Sequence, residues 1–191
     1  MRWSDFPKWG RYVADWAADY HAGLRGRPVR AQTKPGEIAA QLGAEAPEEG
    51  HPVEEVIADF ERIVLPGITH WQHPRFFAYF PANAAPASML AEQLANAIAA
   101  QCMLWQTSPA ATEIEEVMVR WLRDALGLAP HFTGVIQDSA STATLAAVLT
   151  MRERALGWQG NEKGLAGLET LRVYCSDEVH TSIDRAIWTF V

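Results

Sequence analysis

The side chains best suited to chemistry stand in two predicted turns of the C-terminal half. Ser139, Ala140 and Ser141 precede a predicted helix, where free backbone N–H groups and hydroxyls can bind a phosphate. The same residues are also an ordinary helix N-cap, and from the residues alone the cap is the favoured interpretation. Asp138 strengthens that preference, because its carboxylate can itself cap the helix and would repel a dianionic phosphate.

His180 is the candidate in the second turn. The structural interpretation is a half-exposed, hydrogen-bonded histidine in the first turn of a helix. In a ligand-binding crevice this histidine would instead stack on an aromatic ring or move a proton near neutral pH. The residues alone leave the two interpretations open.

A third candidate is the segment from His70 to Met89, which is aromatic, nearly uncharged and interrupted by proline. Arg75 is its only fixed charge, and its prolines stop any continuous helix. Such a composition is typical of a pocket wall, or of a surface that another chain covers. Its aromatic residues are Trp71, Phe76, Phe77, Tyr79 and Phe80.

Other kinds of site are not predicted. His70 and His73 stand beside Pro74 without a cysteine or carboxylate at ligand spacing, so we expect no metal site. The chain has no G-x-S-x-G, no G-x-G-x-x-G and no P-loop lysine. A net charge of −7 argues against nucleic acid or an anionic membrane as a partner.

The rest of the composition is typical of a globular chain, 49% hydrophobic and 20% charged. The longest apolar stretch, Ala84–Trp105, contains several polar residues, so we expect no membrane span. Cys102 and Cys175 stand in apolar runs, which favours free buried thiols, with a disulfide left open. We therefore expect a soluble, cytoplasmic protein.

Apolar periodicity and capping residues predict six helices. We expect them from Ser4 to about Gly23, from Pro52 to Gly67, over about 87–103, from Ser108 to Gly127, over about 140–155 and over about 179–188. Their periodic apolar residues are expected to face inward: Trp9, Val13, Trp16 and Tyr20; Val53, Val56, Ile57, Phe60 and Val64; Ile114, Val117, Met118, Trp121, Leu122, Ala125 and Leu126.

Two short apolar runs, 134–137 and 171–175, predict strands, each followed by a turn and a helix. Strand–turn–helix units that recur predict an α/β fold with a parallel or mixed sheet. Ligands gather at the carboxyl ends of the strands in such sheets, so both candidate turns should lie at that edge.

Five sequence pieces resemble one known family. They are PGITHW at Pro66–Trp71, FFAYFP at Phe76–Pro81, SPAATEIE at Ser108–Glu115, GVIQDSASTATL at Gly134–Leu145 and YCSDEVHTSIDRA at Tyr174–Ala186. In this order and spacing, the chain resembles the N-terminal part of the aromatic-L-amino-acid decarboxylase family, the group II pyridoxal-phosphate-dependent decarboxylases.

The resemblance implies a fold and an activity. The fold is the N-terminal part of a fold-type I large domain (a transferase-like domain that binds pyridoxal 5′-phosphate, PLP), preceded by a helical segment and helix-rich in this chain. The implied domains are a dimerisation segment over 1–84 and an incomplete PLP-binding domain over 85–191. The implied partners are an aromatic L-amino acid as substrate and a second copy of the chain, joined through the N-terminal segment.

The resemblance also implies roles for the candidate residues. The phosphate cradle falls on Ser139, Ala140 and Ser141, so the anion interpretation overtakes the plain cap. The histidine that stacks over the pyridine ring and assists catalysis falls on His180. The aromatic substrate wall falls on Trp71, Tyr79, Phe80 and Pro81, with Ala82, Gln101 and Met103 beside them.

The chain departs from the family pattern in ways that bear on activity. Relatives carry a lysine beyond the histidine that attaches PLP, and an aspartate between the two that pairs with the pyridine nitrogen. The lysines here, Lys8, Lys34 and Lys163, do not match that position. We therefore expect a truncated product, a fragment or half of a split enzyme, inactive alone.

Two single residues also differ from relatives. Ala82 replaces a hydroxyl residue, which leaves substrate choice open, and Asp138 replaces a glycine and puts a charge near the phosphate. Three functions remain open: decarboxylation, decarboxylation with oxidative deamination to an aldehyde, and a non-catalytic dimerising remnant.

Overall fold

The computed structural model describes residues 1–43, 45–80 and 84–189. The chain divides into two compact units, Met1–Ala97 and Ile98–Val191, which we call unit 1 and unit 2. The domain bounds inferred from the resemblance remain a prediction. Within the described ranges, no helix is both long enough and apolar enough to cross a membrane.

The described residues of unit 1 form three α-helices and shorter helical turns. They are α1 (Phe6–Gly23) with a 3₁₀ turn at Leu24–Gly26, a 3₁₀ turn at Ala39–Gln41, α2 (Val53–Asp59) continued by a π-helical stretch at Phe60–Val64 and a 3₁₀ turn at Leu65–Gly67, and α3 (Pro86–Ile98). Trp16 ties α1 to the π-helical stretch, because its indole N–H donates to Glu61 Oε1 at 2.8 Å and its ring meets Phe60 edge-on. Leu24 and Ile63 are the buried apolar side chains of the described part of this unit.

Unit 2 contains four helices in its described residues: α4 (Pro109–Ala125), α5 (Ala140–Ala155), α6 (Gly160–Lys163) and α7 (Ser182–Trp188). Proline opens α4, since its fixed φ suits the first helical position. Gly127 follows α4 with a φ of 68°, the left-handed conformation that ends many helices. Helices α5 and α7 pack closely against each other, and Ala186 of α7 is buried.

A buried carboxylate joins α5 to α6. Glu153 is only 2% exposed, and its Oε1 lies 2.8 Å from Arg152 Nη2. Its Oε2 accepts the backbone N–H of Asn161 at 3.1 Å. Gly160 passes so close that a Cβ there would lie 2.4 Å from Glu153 Oε1. Only glycine fits this position without moving the buried ion pair.

Neither of the two predicted strands forms in the structure. Residues 134–137 and 171–175 lie in irregular backbone, and no residue of the described ranges is in a strand. The Ile136 N–H donates to Glu115 Oε1 at 2.7 Å, a side chain of α4, instead of a neighbouring strand. A strand exists only through hydrogen bonds to a second strand, and an apolar run carries no information on that partner.

Helix bounds also differ from the sequence prediction. Asp5, not Ser4, occupies the N-cap position of α1, and the Ser4 hydroxyl donates to its carboxylate at 3.3 Å. The third helix ends at Ile98 instead of about residue 103, because Ala99 has a φ of 50°. That left-handed conformation cannot continue a right-handed helix.

Much of the predicted inward face is exposed. Ile114, Trp121 and Leu122 of α4 are 62%, 64% and 61% exposed, and Val13 of α1 and Val56 of α2 are also exposed. Periodicity identifies which residues share a helix face, but it does not identify the element that covers that face. The prediction of an apolar stripe on α4 is therefore right in spacing and wrong in burial.

The two cysteines differ from expectation as well. Cys102 and Cys175 are free, as favoured, but both are exposed instead of buried. Their apolar neighbours in sequence lie in segments that this structure leaves at the surface, so local hydrophobicity overstated the burial of the thiols.

Candidate functional site

Side chains at the start of α5 cap the helix. Ser139 is the N-cap, and its Oγ accepts the backbone N–H of Thr142 at 3.3 Å. The Thr142 hydroxyl in turn accepts the backbone N–H of Ser139 at 3.2 Å, which completes a capping box. Ser139, Ala140 and Ser141 are exposed. The N–H groups of Ala140 and Ser141 have no acceptor within the helix, so they remain suited to an external anion.

Asp138 takes part in the same cap. Its Oδ1 accepts the Thr142 hydroxyl, so the carboxylate lies over the first turn of α5. A carboxylate at this end of a helix is favourable, because the backbone N–H groups carry partial positive charge. The same charge disfavours a phosphate dianion nearby. The position of the Asp138 carboxylate over this turn therefore accounts for both predicted roles, capping of the helix and repulsion of a phosphate.

The segment before this cap is held by α4. Besides the bond from Ile136 to Glu115, Arg123 Nη1 donates to the carbonyl of Pro130 at 3.1 Å. Glu115 and Arg123 thus fix the backbone that enters Asp138 and Ser139. The sequence analysis assigned this role to neither residue.

His180 lies before α7 and is exposed, not inside its first turn as predicted. The backbone N–H of Ser182 donates to His180 Nδ1 at 3.2 Å, and the Ser182 hydroxyl lies 3.0 Å from the same nitrogen. Since Nδ1 accepts, the hydrogen of the neutral ring is on Nε2. The ring therefore presents a single defined N–H, the property that a proton-transferring histidine needs.

Three aromatic residues of the segment, Trp71, Phe76 and Tyr79, pack against one another. The Trp71 ring centroid lies 4.9 Å from Phe76 and 5.6 Å from Tyr79, with Trp71 and Tyr79 nearly parallel. Tyr79 has a φ of 54°, an uncommon and strained conformation for a residue with a side chain. Tyr79 and Phe80 are 83% and 99% exposed. The structure thus brings Trp71 and Tyr79 together and leaves Phe80 free to meet a ligand.

The remaining predicted wall residues are less informative. Gln101 and Met103 are exposed in unit 2, and the Gln101 carbonyl accepts the Thr107 hydroxyl at 2.8 Å. Pro81 and Ala82 were also assigned to the wall, and both lie outside the described residues.

Comparison with known proteins defines the class. The model of the pyridoxal-dependent decarboxylase conserved domain matches residues 35–190, and the chain belongs to this family. It is 41% identical to the aromatic-L-amino-acid decarboxylase of Sus scrofa. The alignment is 198 residues long and covers 97% of this chain and 41% of that protein. The chain thus spans about two fifths of that relative's length.

Two solved structures share the fold. Rhodiola rosea 4-hydroxyphenylacetaldehyde synthase matches with a TM-score of 0.89 and 34% identity, over 99% of this chain and 41% of that one. Oryza sativa TDC, solved with PLP, matches with a TM-score of 0.90 and 31% identity, over 99% and 42% of the two chains. These matches confirm the family and the fold class inferred from the sequence, and PLP is the cofactor of the family.

The residues of unit 2 fit the phosphate end of that cofactor. The exposed first turn of α5 offers two backbone N–H groups and two serine hydroxyls, which is the donor set that a phosphate monoester requires. Asp138 is the one group in this turn that opposes the anion. Sequence reasoning missed Thr142 and Ser182, although the S-x-x-T spacing of a capping box could have indicated Thr142.

Proposed function

We propose that the protein containing this chain removes CO2 from an aromatic L-amino acid with PLP as cofactor. The observation that carries the proposal is in unit 2: the exposed start of α5 and the oriented His180 stand before two helices that pack against each other. When bound, PLP supplies the electron sink for the electrons that remain on the substrate as CO2 leaves.

Each group of the chain has a separate task in this proposal. The N–H groups of Ala140 and Ser141, with the serine hydroxyls, bind and orient the phosphate. His180 stacks on the pyridine ring and holds a proton at Nε2, because Nδ1 is occupied by Ser182. In unit 1, the exposed rings of Trp71, Tyr79 and Phe80 suit contact with the aromatic side chain of a substrate.

The chain alone is proposed to be inactive, because Lys8, Lys34 and Lys163 do not match the family lysine that attaches PLP. The test mixes the chain with PLP and carboxyl-labelled phenylalanine, tyrosine or tryptophan. We expect no labelled CO2, and no borohydride-stable adduct concentrated on one lysine. Activity of the chain alone, or a single modified lysine, would contradict this.

The same assay on this chain extended to the length of its relatives tests the reaction itself. We expect labelled CO2 and the corresponding amine in equal amounts. A second outcome is favoured by the likeness to an aldehyde synthase: CO2 with aldehyde, ammonia and hydrogen peroxide, formed at the expense of O2. Absence of CO2 from every aromatic substrate would contradict both reactions.

A dimerising role is the other candidate, and an apolar groove in unit 1 favours it. The groove has a volume of about 1010 Å³ and lies among α1, α2 and α3. Its large apolar lining residues include Phe6, Trp9, Val13, Ile57, Met89 and Leu90. An exposed groove lined by apolar side chains is typical of a protein–protein interface, and we propose a second copy of the chain as the occupant.

Light scattering coupled to size-exclusion chromatography checks the dimer. The chain is expected to elute with twice its monomer mass at micromolar concentration, and Val13→Asp is expected to shift it to monomer, because a charge would be buried in the interface. Val56→Asp is the matched control, since Val56 is similarly exposed but does not line the groove. A monomeric parent chain, or equal effects of the two substitutions, would contradict the proposal.

A further inference from the structure

Unit 1 contains a buried polar cluster that the proposed chemistry does not use. Its members are Tyr20 of α1, Arg27, His70 and His73, and we call it the histidine latch. His70 and His73 are each only 3% exposed. Buried polar groups are normally kept because they hold a specific arrangement through hydrogen bonds, so the partners of these two rings show what the latch holds.

His70 fastens the start of the aromatic segment to α1. Its Nδ1 lies 2.7 Å from the Tyr20 hydroxyl, and its backbone N–H donates to the Val29 carbonyl at 2.9 Å. Tyr20 is itself held by a parallel stack on Trp16, with ring centroids 5.3 Å apart. The hydroxyl of Tyr20 is thus a fixed point on α1 to which the His70 ring is attached.

His73 carries the attachment on to the stacked rings. Its backbone N–H donates to the His70 carbonyl at 2.9 Å, and its own carbonyl accepts the Phe76 N–H at 2.9 Å. Its Nδ1 accepts the Arg75 N–H at 3.0 Å. Phe76 then packs on Trp71. A continuous set of hydrogen bonds therefore runs from α1 to the aromatic segment.

The hydrogen bond that His73 accepts requires a neutral ring. His73 Nδ1 accepts, so its ring hydrogen is on Nε2, which is buried and has no hydrogen-bond partner among the described residues. A further proton on Nδ1 would displace the Arg75 N–H. The guanidinium of Arg27 lies over the Tyr20 ring, 5.1 Å from its centroid, and adds positive charge to the cluster.

Charge and burial act on His70 in the same direction. Burial lowers the pKa of His70 below its ordinary value of 6.5, and the positive charge of Arg27 lowers it further, as does His73 whenever that ring is protonated. An open, solvated His70 would titrate near the ordinary value. The closed latch is therefore fully favoured above pH 6.5, and it weakens as the pH falls from 6.5 through the lowered pKa.

We propose that His70 is a positioning residue whose neutral ring, bonded to Tyr20, holds residues 70–80 on α1, and that acid releases these residues. The proposal concerns the order of unit 1 alone. It does not depend on cofactor, substrate or turnover, so it can fail or succeed separately from the proposed decarboxylation.

Nuclear magnetic resonance of the full chain tests the proposal between about pH 7.5 and about pH 5, a range that brackets histidine titration. The backbone amide signals of Trp71, Phe77 and Tyr79 are expected to shift and broaden together as His70 gains a proton. Signals of α4 are expected to stay unchanged. Titration of His70 without any response of the three amides would overturn the proposal.

Two substitutions separate the latch from a general loss of stability. Tyr20→Phe keeps the ring on Trp16 but removes the hydroxyl, and should raise the midpoint of the transition by roughly half a pH unit or more. Tyr12→Phe, the same change at an exposed site of the same helix, should leave the midpoint unchanged. Equal behaviour of the two variants would overturn the role of the hydrogen bond.

The third variant keeps the hydrogen bond and removes the titration. In His70→Asn, the amide replaces Nδ1 beside Tyr20 but cannot gain a proton. The aromatic segment should stay ordered across the whole pH range. A persisting acid transition in this variant, abolished instead by His73→Asn, would overturn the assignment to His70.

Discussion

In a version of the chain extended to the length of its relatives and loaded with PLP, His180→Ala is expected to lower turnover by roughly 10²- to 10⁴-fold, the usual contribution of a positioned acid–base group. Affinity for the cofactor should change by no more than about threefold, because the proposed phosphate donors are on α5 and survive the substitution. The physical reason for the large effect is the defined tautomer. Ser182 occupies Nδ1, so the proton at Nε2 is the one that is lost.

Steady-state assays of CO2 release, with the bound cofactor measured from its absorbance after gel filtration, check this result. His131→Ala is the matched control, since His131 is an exposed histidine of the same unit and should leave turnover unchanged. Ser182→Ala keeps the backbone N–H on Nδ1 and should retain most of the activity. Wild-type turnover in His180→Ala would remove the proposed role of this histidine.

Gly160→Ala is expected to destabilise unit 2 by about 2–4 kcal/mol, near the upper end for a single methyl group. The added Cβ would lie 2.4 Å from the Glu153 carboxylate, which is buried and bonded to Arg152 and to the Asn161 N–H. Moving that carboxylate would break a buried ion pair, which costs more than moving an apolar side chain.

Urea unfolding followed by circular dichroism measures the change. Gly134→Ala is the control, because its Cβ would meet Val119 at an ordinary 3.6 Å, and we expect stability within about 1 kcal/mol of the parent or slightly higher. Equal stability of the two variants would show that the contact at Gly160 relaxes without loss.

Local signals in the sequence predicted the local structure well. The S-A-S-T run gave α5 its start at Ala140, and the Ser108–Pro109 pair gave α4 its start, because capping and proline geometry act within a few residues. The predicted end of the third helix was wrong, because the left-handed conformation of Ala99 ends the helix earlier. No sequence rule requires that conformation at this alanine. Long-range features failed more often, as the unpaired segments 134–137 and 171–175 demonstrate.

The candidate site divides in the same way. The position of Ser139–Ser141 at the start of α5 followed from the sequence. The hydrogen bond from Ile136 to Glu115 joins residues far apart in the chain, so no local sequence pattern predicts it. The buried histidines are the clearest miss. The sequence analysis considered His70 and His73 only as metal ligands and rejected that role. Their place in the fold involves Tyr20, whose hydroxyl contacts His70 and which is fifty residues away from it.

The self-closed cap of α5 has a kinetic consequence. Because Ser139, Thr142 and Asp138 satisfy one another, the first turn of the helix already has its bound shape before any anion arrives. The entropy of ordering this turn is lost during folding and not during association. If a phosphate group binds here as proposed, it meets a rigid turn, and the charge of Asp138 is expected to slow its association without changing the shape of the turn.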